Sequence, residues 1–358
     1  MDTYPIPARS LERFYKIDGH TLEKNYKEHL SGFDSWDQKV HASEWVLLPK
    51  NMGKRLSIDE SMHQNDLFTF LSNKEGHGKQ GTLIATVRGT KAEEVIKHLM
   101  KLPKEQREAV EEVTMDFSDS MYAIVKAVFP NATIVIDCFH IIKRLCDGLD
   151  EMRMRFKRKA VTLQNKEKQE FNRLKKLRKK SREYYRKKHP KKNKKEKRGR
   201  PRLRKNEKFK PSTLSNGDTL VELYTRSKHF LAKSGDNWSE RQKERAEILF
   251  DLRPELKLAY SLVCQLRAIF RNKKITRDEA KVKLHEWYHA VSASKMKELI
   301  SAKDCIKFKE EEVLNYFINR STNAAAESLN SKMKGFRSEL RGVRDLAFYL
   351  YRCCMIFG

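Results

Sequence analysis

The feature that most constrains the fold is an ordered series of strand-like and helix-like runs between Lys54 and Asp137. Three strand-like runs with turn-rich connections come first, followed by a helix, a strand, a second helix and a last strand. The last run, Thr133–Asp137, is apolar in the way of strands that are buried on both faces of a parallel sheet. The order β-β-β-α-β-α-β therefore predicts an α/β fold. The predicted strands are Arg55–Asp59, Leu67–Ser72, Thr82–Arg88, Val113–Asp116 and Thr133–Asp137, and the predicted helices are Lys91–Leu102 and Ser118–Phe129.

The rest of the chain is predicted to be mainly helical. Residues 8–50 contain two amphipathic stretches around a turn at Ile17–His20, and residues 140–320 have helical composition apart from one basic linker. No apolar run approaches the roughly 18 residues that span a bilayer. The N-terminal residues do not have the pattern of a signal peptide, and the six cysteines form no regular framework. We therefore expect a soluble intracellular protein with reduced thiols and no membrane partner.

A glycine motif, Gly76-x-Gly78-x-x-Gly81, has the spacing of a dinucleotide-binding loop. Such a loop must open a helix whose N-terminus meets the pyrophosphate. Here the motif leads into the strand-like run Thr82–Val87. We therefore predict a hairpin loop and reject a nucleotide site.

The net charge of +28 is concentrated in one segment. Residues Phe171–Lys210 contain 22 Lys and Arg but only three Glu. The segment is predicted to be helical to about His189 and to continue as a linker over 190–216. Without a partner such a run is a solvated spacer, whereas a polyanion such as DNA matches its charge, because each neutralised phosphate releases counterions.

A short part of this linker resembles the core of an AT-hook, in which an extended Arg-Gly-Arg backbone enters a narrow A·T minor groove. In a stretch so rich in Lys and Arg, the same pattern also arises by chance. The residues that would contact DNA are Arg198, Arg200 and Arg202.

Three carboxylates lie at positions that suggest chemistry. Asp59 and Asp116 end predicted strands, and Glu327 lies among small residues in a predicted helix. Carboxylates from distant elements that meet beside a basic surface suit Mg²⁺-assisted phosphoryl displacement. The alternative is structural, because an Asp at a strand end often caps the turn or helix that follows.

Several motifs, together with the order of elements, resemble the DDE transposases of bacterial insertion sequences, and the ISL3-type group in particular. The resemblance covers about Leu56–His140 and Arg320–Phe348. The motifs are Ser57-Ile58-Asp59-Glu60, Thr114-Met115-Asp116, Phe129-Pro130-Asn131-Ala132 leading to Asp137-Cys138-Phe139-His140, and Asn323-Ala324-Ala325-Ala326-Glu327-Ser328-Leu329-Asn330.

The resemblance implies a ribonuclease-H-like mixed sheet with a large, basic, all-α insertion before the last catalytic helix. It also implies a catalytic, metal-binding triad of Asp59, Asp116 and Glu327 that holds two Mg²⁺ ions, for which Mn²⁺ can substitute. Asp59 would bridge both ions. The implied reactions are hydrolytic nicking that frees a 3′-hydroxyl and attack of that hydroxyl on target DNA. The implied partners are double-stranded DNA (element ends and target) and further copies of the chain, as a dimer or larger assembly on DNA, in the cytoplasm at a prokaryotic nucleoid.

Further residues receive roles from the same resemblance. Asp137 and His140 match a D-x-x-H element, for which a helix cap and a structural His are the alternative. Asn330, one turn after Glu327, would orient that residue or contact DNA. Lys334 lies two helical turns after Glu327, and we predict that it binds a DNA phosphate. Two further predicted DNA contacts are Arg337 and Arg341.

The predicted organisation has four parts: a small helical N-terminal region (1–50), the first part of the catalytic domain (51–140), the helical insertion (141–318) and a helical C-terminal part that completes the catalytic domain (319–358). Family members often begin with a cysteine-rich zinc module, but this sequence has no cysteine before Cys138. Two explanations follow: either a companion polypeptide recognises the element ends, or the element is truncated. Two other functions fit the residues: a nuclease without strand transfer, and a non-catalytic DNA-binding protein.

Within the predicted insertion, Trp238 and Trp287 have two interpretations. They are either packing residues of the helices or an aromatic wedge that stacks on an unpaired base.

Overall fold

The computed structural model describes residues 1–63, 66–189, 208–340 and 345–358. The chain divides into two compact units. The first consists of Met1–Lys143, Ile269–His285 and Cys305–Gly358, and the second of Arg144–Ala268 and Glu286–Asp304. None of the helices in these described ranges combines the length and hydrophobicity of a membrane span.

The first unit contains a mixed six-stranded sheet. The strand order is β1-β4-β3-β2-β5-β6, in which β2–β5 and β5–β6 pair in parallel and the other neighbours pair antiparallel. The strands are β1 (Trp45–Leu47), β2 (Arg55–His63), β3 (Asp66–Asn73), β4 (Leu83–Arg88), β5 (Glu112–Met115) and β6 (Thr133–Ile136). The α/β class and the order of the predicted strands are thus confirmed.

Fifteen α-helices are described in the two units together. They are α1 (Ala8–Tyr15), α2 (Gly19–Asn25), α3 (Ala92–Leu99), α4 (Lys104–Glu108), α5 (Asp119–Val128), α6 (Cys138–Lys188), α7 (Leu220–Leu231), α8 (Glu240–Leu252), α9 (Pro254–Arg271), α10 (Arg277–Ala293), α11 (Lys297–Phe308), α12 (Glu310–Leu314), α13 (Tyr316–Asn319), α14 (Ala324–Glu339) and α15 (Leu346–Phe357).

Two sequence predictions about the sheet are wrong in detail. Residues 45–47, predicted to be helical, form the edge strand β1, because their backbone pairs with β4 from Trp45↔Val87 to Leu47↔Ala85. The strand predicted to end at Asp59 continues to His63, because antiparallel pairing with β3 extends past that residue. Asp59 therefore lies within β2 rather than at its end.

The apolar core of this unit holds α14 and α15 against the sheet. Leu329, Met333 and Phe336 of α14 pack in one cluster with Phe68 and Phe70 of β3. Since Phe70 is directly opposite Asp59 in the antiparallel pair, the two side chains share a face of the sheet. Asp59 is therefore on the face that α14 covers.

The helix after β5 begins and ends as its sequence predicts. Ser118 is the N-cap of α5, and its side chain accepts a hydrogen bond from the backbone N–H of Met121. The helix ends at Val128, just before Pro130, which has no N–H to continue the helical hydrogen bonds.

In the second unit, both tryptophans of the predicted insertion are packing residues. Trp287 is 2% exposed, and its indole N–H donates to the backbone oxygen of Leu262. Trp238 donates to the oxygen of Phe230 at 2.7 Å and packs against Phe250 and Tyr260. These contacts support the packing interpretation over the base-stacking wedge.

Candidate active site

The strand register brings three aspartates into one row. Ser57 of β2 is paired with Thr114 of β5, and two residues further along each strand the same offset places Asp59 beside Asp116. Met115 of β5 is paired with Ile136 of β6, so the next residues along, Asp116 and Asp137, are neighbours in turn. The backbone N–H of Asp137 also donates to Met115. Asp59 therefore lies just past the last parallel pair of β2 with β5, although β2 itself continues to His63.

The pKa values of Asp59 and Asp116 are both raised, and the charge of Asp116 contributes to the shift of Asp59. Burial raises the pKa of Asp59 to about 6, and the neighbouring charge of Asp116 acts in the same direction. Burial also raises the pKa of Asp116, although His140 and a hydrogen bond from Asn323 oppose the effect. Glu60 has a raised pKa for the same reasons, burial first and then the charges of Asp116 and Asp59. The fold therefore holds several carboxylates in a partly desolvated cluster.

Asn323, to which the sequence analysis assigned no role, connects the row to α14. It is 1% exposed, and its side-chain amide donates to Asp116 Oδ1 at 3.2 Å and to the backbone oxygen of Ile58 at 3.3 Å. Its backbone N–H donates to Asp137 Oδ2 at 2.7 Å. The signal that could have identified it is the spacing i, i+4, i+7 of Asn323, Glu327 and Asn330, which places all three on one helical face.

Asn330 contacts the other catalytic candidate. Its side-chain amide donates to Asp59 Oδ2 at 2.6 Å, and this bond lowers the pKa of Asp59 against the effect of burial. At the opposite oxygen, the backbone N–H of Glu60 donates to Asp59 Oδ1 at 2.8 Å. Asn330 therefore contacts an aspartate of the sheet, and its roles of orienting Glu327 or contacting DNA stay predictions.

Asp137 and His140 are neighbours of Asp116. Asp137 is 3% exposed, and its oxygens accept from the backbone N–H groups of Phe139, at the start of α6, and of Asn323. His140 Nε2 lies 3.2 Å from Asp116 Oδ1. Asp137 thus joins two helix starts to the sheet, while His140 contacts the carboxylate beside it.

Glu327 is in the first turn of α14 and is exposed. It lies on the helical face between Asn323, which contacts Asp116, and Asn330, which contacts Asp59. Within the described ranges, however, no three His, Cys, Asp or Glu side chains are gathered closely enough to hold a metal ion. The structure therefore brings Asp59 and Asp116 together. Glu327 lies on the helix that covers them but does not complete a set of three metal ligands.

The predicted DNA-contacting residues are only partly within the described chain. Lys334 is exposed on α14, and Arg337, in the last turn of that helix, is partly exposed. The other four, Arg341, Arg198, Arg200 and Arg202, lie outside the described residues.

The atoms around the aspartate pair suit a hard cation. The side-chain oxygens of Asn323 and Asn330 are buried and have no hydrogen-bond partner among the described residues. Two neighbouring carboxylates with raised pKa values gain when a positive charge is placed between them. Carboxylate and amide oxygens are the ligands that Mg²⁺ prefers.

Comparison with known proteins gives one family. A model of ISL3-type DDE transposases, described as Transposase, matches residues 56–213 and 202–353. The comparisons with curated proteins and with solved structures found no match.

Proposed function

This chain belongs to the ISL3-type family of DDE transposases, and from this membership we propose that it cleaves DNA and transfers the strand with Asp59, Asp116 and Glu327 as its catalytic triad. The observation that carries the proposal is the proximity of Asp59 and Asp116, each two residues past the last parallel pair, Ser57↔Thr114, with the charge of Asp116 raising the pKa of Asp59. The face of α14 between Asn323 and Asn330 supports the third position, because these two residues bond to the two aspartates and Glu327 lies between them.

We propose that the sheet is the core of a ribonuclease-H-like domain. Three antiparallel strands followed by two parallel ones, with helices after β4 and β5, support this assignment, and β1 is an additional edge strand. The proposed domain consists of residues 51–140 and 319–358, interrupted by an all-α insertion over 141–318 with the basic linker 190–216. We propose that residues 1–50 are an N-terminal region that contributes the edge strand β1 to the sheet.

The proposed cofactor is a pair of Mg²⁺ ions held by Asp59, Asp116 and Glu327, with Mn²⁺ as a substitute. When bound, such ions stabilise the charge on the attacking and leaving oxygens of an in-line displacement. The protein's own contribution is to orient the carboxylates: Asn330 holds Asp59, and Asn323 with His140 holds Asp116.

We propose two successive reactions at this site. In the first, water attacks a phosphodiester at the element end, the P–O bond breaks and a 3′-hydroxyl is released. In the second, that hydroxyl attacks a target phosphodiester, forming the new P–O bond and releasing a strand end of the target. Lys334, Arg337 and Arg341 would bind the phosphates on either side of the reacting bond.

DNA is the partner that the family implies. We propose that two or more copies of the chain act on paired element ends at the nucleoid, and that a companion polypeptide contributes to recognition of the end sequence. Binding energy from such a partner would align the ends before the chemical step.

A joining assay tests the proposed reaction. With Mg²⁺, the protein and its companion should join a duplex that carries a pre-cut element end to a supercoiled plasmid. The same duplex with a 3′-deoxy terminus should give no joined product, because the attacking oxygen is missing. Gel analysis of the plasmid measures both. Cleavage without joining would replace our proposal by the nuclease without strand transfer.

The basic linker gives a second prediction. Replacing residues 190–210 by a Gly-Ser segment of equal length should weaken DNA binding and flatten the slope of log affinity against log salt. Each phosphate contact contributes about 0.9 to that slope, so a loss of about 3 or more is expected. Fluorescence anisotropy between low and high salt measures it. If the slope is unchanged, the segment does not bind DNA phosphates.

A further inference from the structure

The glycine motif that the sequence analysis rejected as a nucleotide site lies next to the candidate active site. Residues Lys74–Gly81, here called the glycine hairpin, connect β3 to β4, and Gly78 and Gly81 have left-handed φ angles of +72° and +83°. The loop is a hairpin, as predicted. It contacts the elements that carry two members of the proposed triad.

One end of the glycine hairpin is bonded to β5. The ammonium group of Lys74 donates to the Thr114 hydroxyl at 2.7 Å and to Glu112 Oε1 at 3.1 Å. Glu112 is 4% exposed and also accepts from the Asn319 amide at 3.0 Å. Since side chains alternate along a strand, Glu112 and Thr114 are on the same face of β5, four and two residues before Asp116 respectively.

The middle of the glycine hairpin is bonded to α14. Lys332 Nζ donates to the backbone oxygen of Gly78 at 2.7 Å. A Cβ atom at Gly78 would lie 3.0 Å from Lys332 Nζ and 3.2 Å from the hydroxyl oxygen of Ser328, the residue that directly follows Glu327. A side chain at Gly78 would therefore push the Lys332 ammonium or the Ser328 hydroxyl aside by a few tenths of an ångström and disturb the contact between the loop and α14.

We infer that the glycine hairpin is a positioning element, which holds α14, and with it Glu327, at a fixed place relative to Asp59 and Asp116. This inference rests on the proposed function. Its physical basis is that one short loop is bonded both to the strand that leads to Asp116 and to the helix that carries Glu327. A displacement of about 1 Å at a reacting centre can cost about 100-fold in rate.

Two matched pairs of variants test this role. Gly78→Ala is compared with Gly81→Ala, which has the same left-handed strain but no atom within 4 Å of the added methyl group. Lys332→Met is compared with Lys79→Met, which removes the same charge from an exposed position in the loop. Lys332→Arg restores the donor and is the rescue variant. If Gly78→Ala does not fold, the Lys332 variants still test whether the glycine hairpin positions α14.

The readouts are single-turnover DNA cleavage, DNA affinity and amide hydrogen exchange. Gly78→Ala and Lys332→Met should cleave about tenfold or more slowly, bind DNA within twofold of wild type, and exchange faster over residues 324–330. Gly81→Ala and Lys79→Met should cleave DNA at a rate within twofold of wild type. Lys332→Arg should cleave within about threefold of wild type. Unchanged exchange over 324–330, or a loss of cleavage that follows a loss of DNA affinity, would overturn the inference.

The outcome also separates this inference from the proposed function. If Glu327→Gln is inactive while Gly78→Ala and Lys332→Met cleave normally, the glycine hairpin has no positioning role and the triad remains. If Glu327→Gln cleaves like wild type, the triad is wrong, and faster exchange in α14 would then report only on the packing of the loop.

Discussion

Asp59→Asn is expected to lose DNA cleavage by about 10³-fold or more and, at the same time, to make the fold more stable. The loss of activity follows from the proposed role, because an amide cannot supply the negative charge that holds a divalent ion. A factor of 10³ corresponds to about 4 kcal/mol of transition-state stabilisation. The gain in stability follows from the raised pKa of the same group.

The sign of the stability change can be derived from that pKa. In the unfolded chain the Asp59 carboxyl has its ordinary value of 3.8, and in the folded protein burial raises it to about 6. Between these values the folded state binds more protons, so the free energy of unfolding falls as the pH rises through this window. Ionised Asp59 therefore costs stability at pH 7, at most about 3 kcal/mol, and about 1–2 kcal/mol after allowance for partial exposure.

Thermal denaturation in EDTA measures the stability part of this prediction. Asp59→Asn should unfold at a higher temperature than wild type at pH 7, and the difference should largely vanish at about pH 3, below both pKa values of the wild-type carboxyl. Asp37→Asn, at an exposed aspartate of the same unit, is the control and should change neither stability nor cleavage. Equal stability of Asp59→Asn and wild type at pH 7 would show that the carboxyl is not held in a desolvated cluster.

Such an exchange of stability for activity is a general property of active sites. Here it has a specific origin. The parallel pairing of β2 with β5 brings Asp59 close to Asp116, so the charge of Asp116 adds to the cost of ionising Asp59. The bonds from Asn323 and Asn330 offset only part of this cost, since both pKa values remain raised. Added Mg²⁺ should therefore stabilise wild type more than Asp59→Asn.

Local patterns in the sequence were sufficient to predict most of the sheet. β3 and β6 have the apolar residues and flanking turns of strands, and Ser118 and Pro130 mark the two ends of α5. β1 could not be predicted in the same way, because three residues form a strand only where β4 offers a partner. The true end of β2 likewise depends on pairing with β3 rather than on its own residues.

The candidate site was predictable as chemistry but not as geometry. The sequence motifs pointed to Asp59, Asp116 and Glu327, because carboxylates are recognisable as residue types. The helical spacing of Asn323, Glu327 and Asn330 could have marked Asn323 as a candidate, but it could not show which atoms Asn323 contacts. Its contacts span β2, β5 and the start of α6, and such convergence exists only after the chain has folded.

Glu327→Gln is expected to reduce cleavage by about 100-fold or more without changing the stability of the fold. The side chain is exposed, so the substitution removes no packing and leaves no buried group unpaired. Glu339→Gln is the matched control, because it makes the same change at an exposed position at the end of the same helix. Single-turnover cleavage and the melting temperature measure the two effects. Glu339→Gln should cleave within twofold of wild type.

DNA affinity distinguishes a catalytic role of Glu327 from a role in binding. A carboxylate in a DNA-binding surface repels phosphates, so Glu327→Gln should bind DNA as tightly as wild type or more tightly in EDTA. Loss of cleavage with retained or improved binding is the result that a catalytic carboxylate requires. If Glu327→Gln instead cleaves within fivefold of Glu339→Gln, the third carboxylate must be sought elsewhere. Glu60, which lies in the desolvated cluster with Asp59 and Asp116, would then be the first residue to substitute.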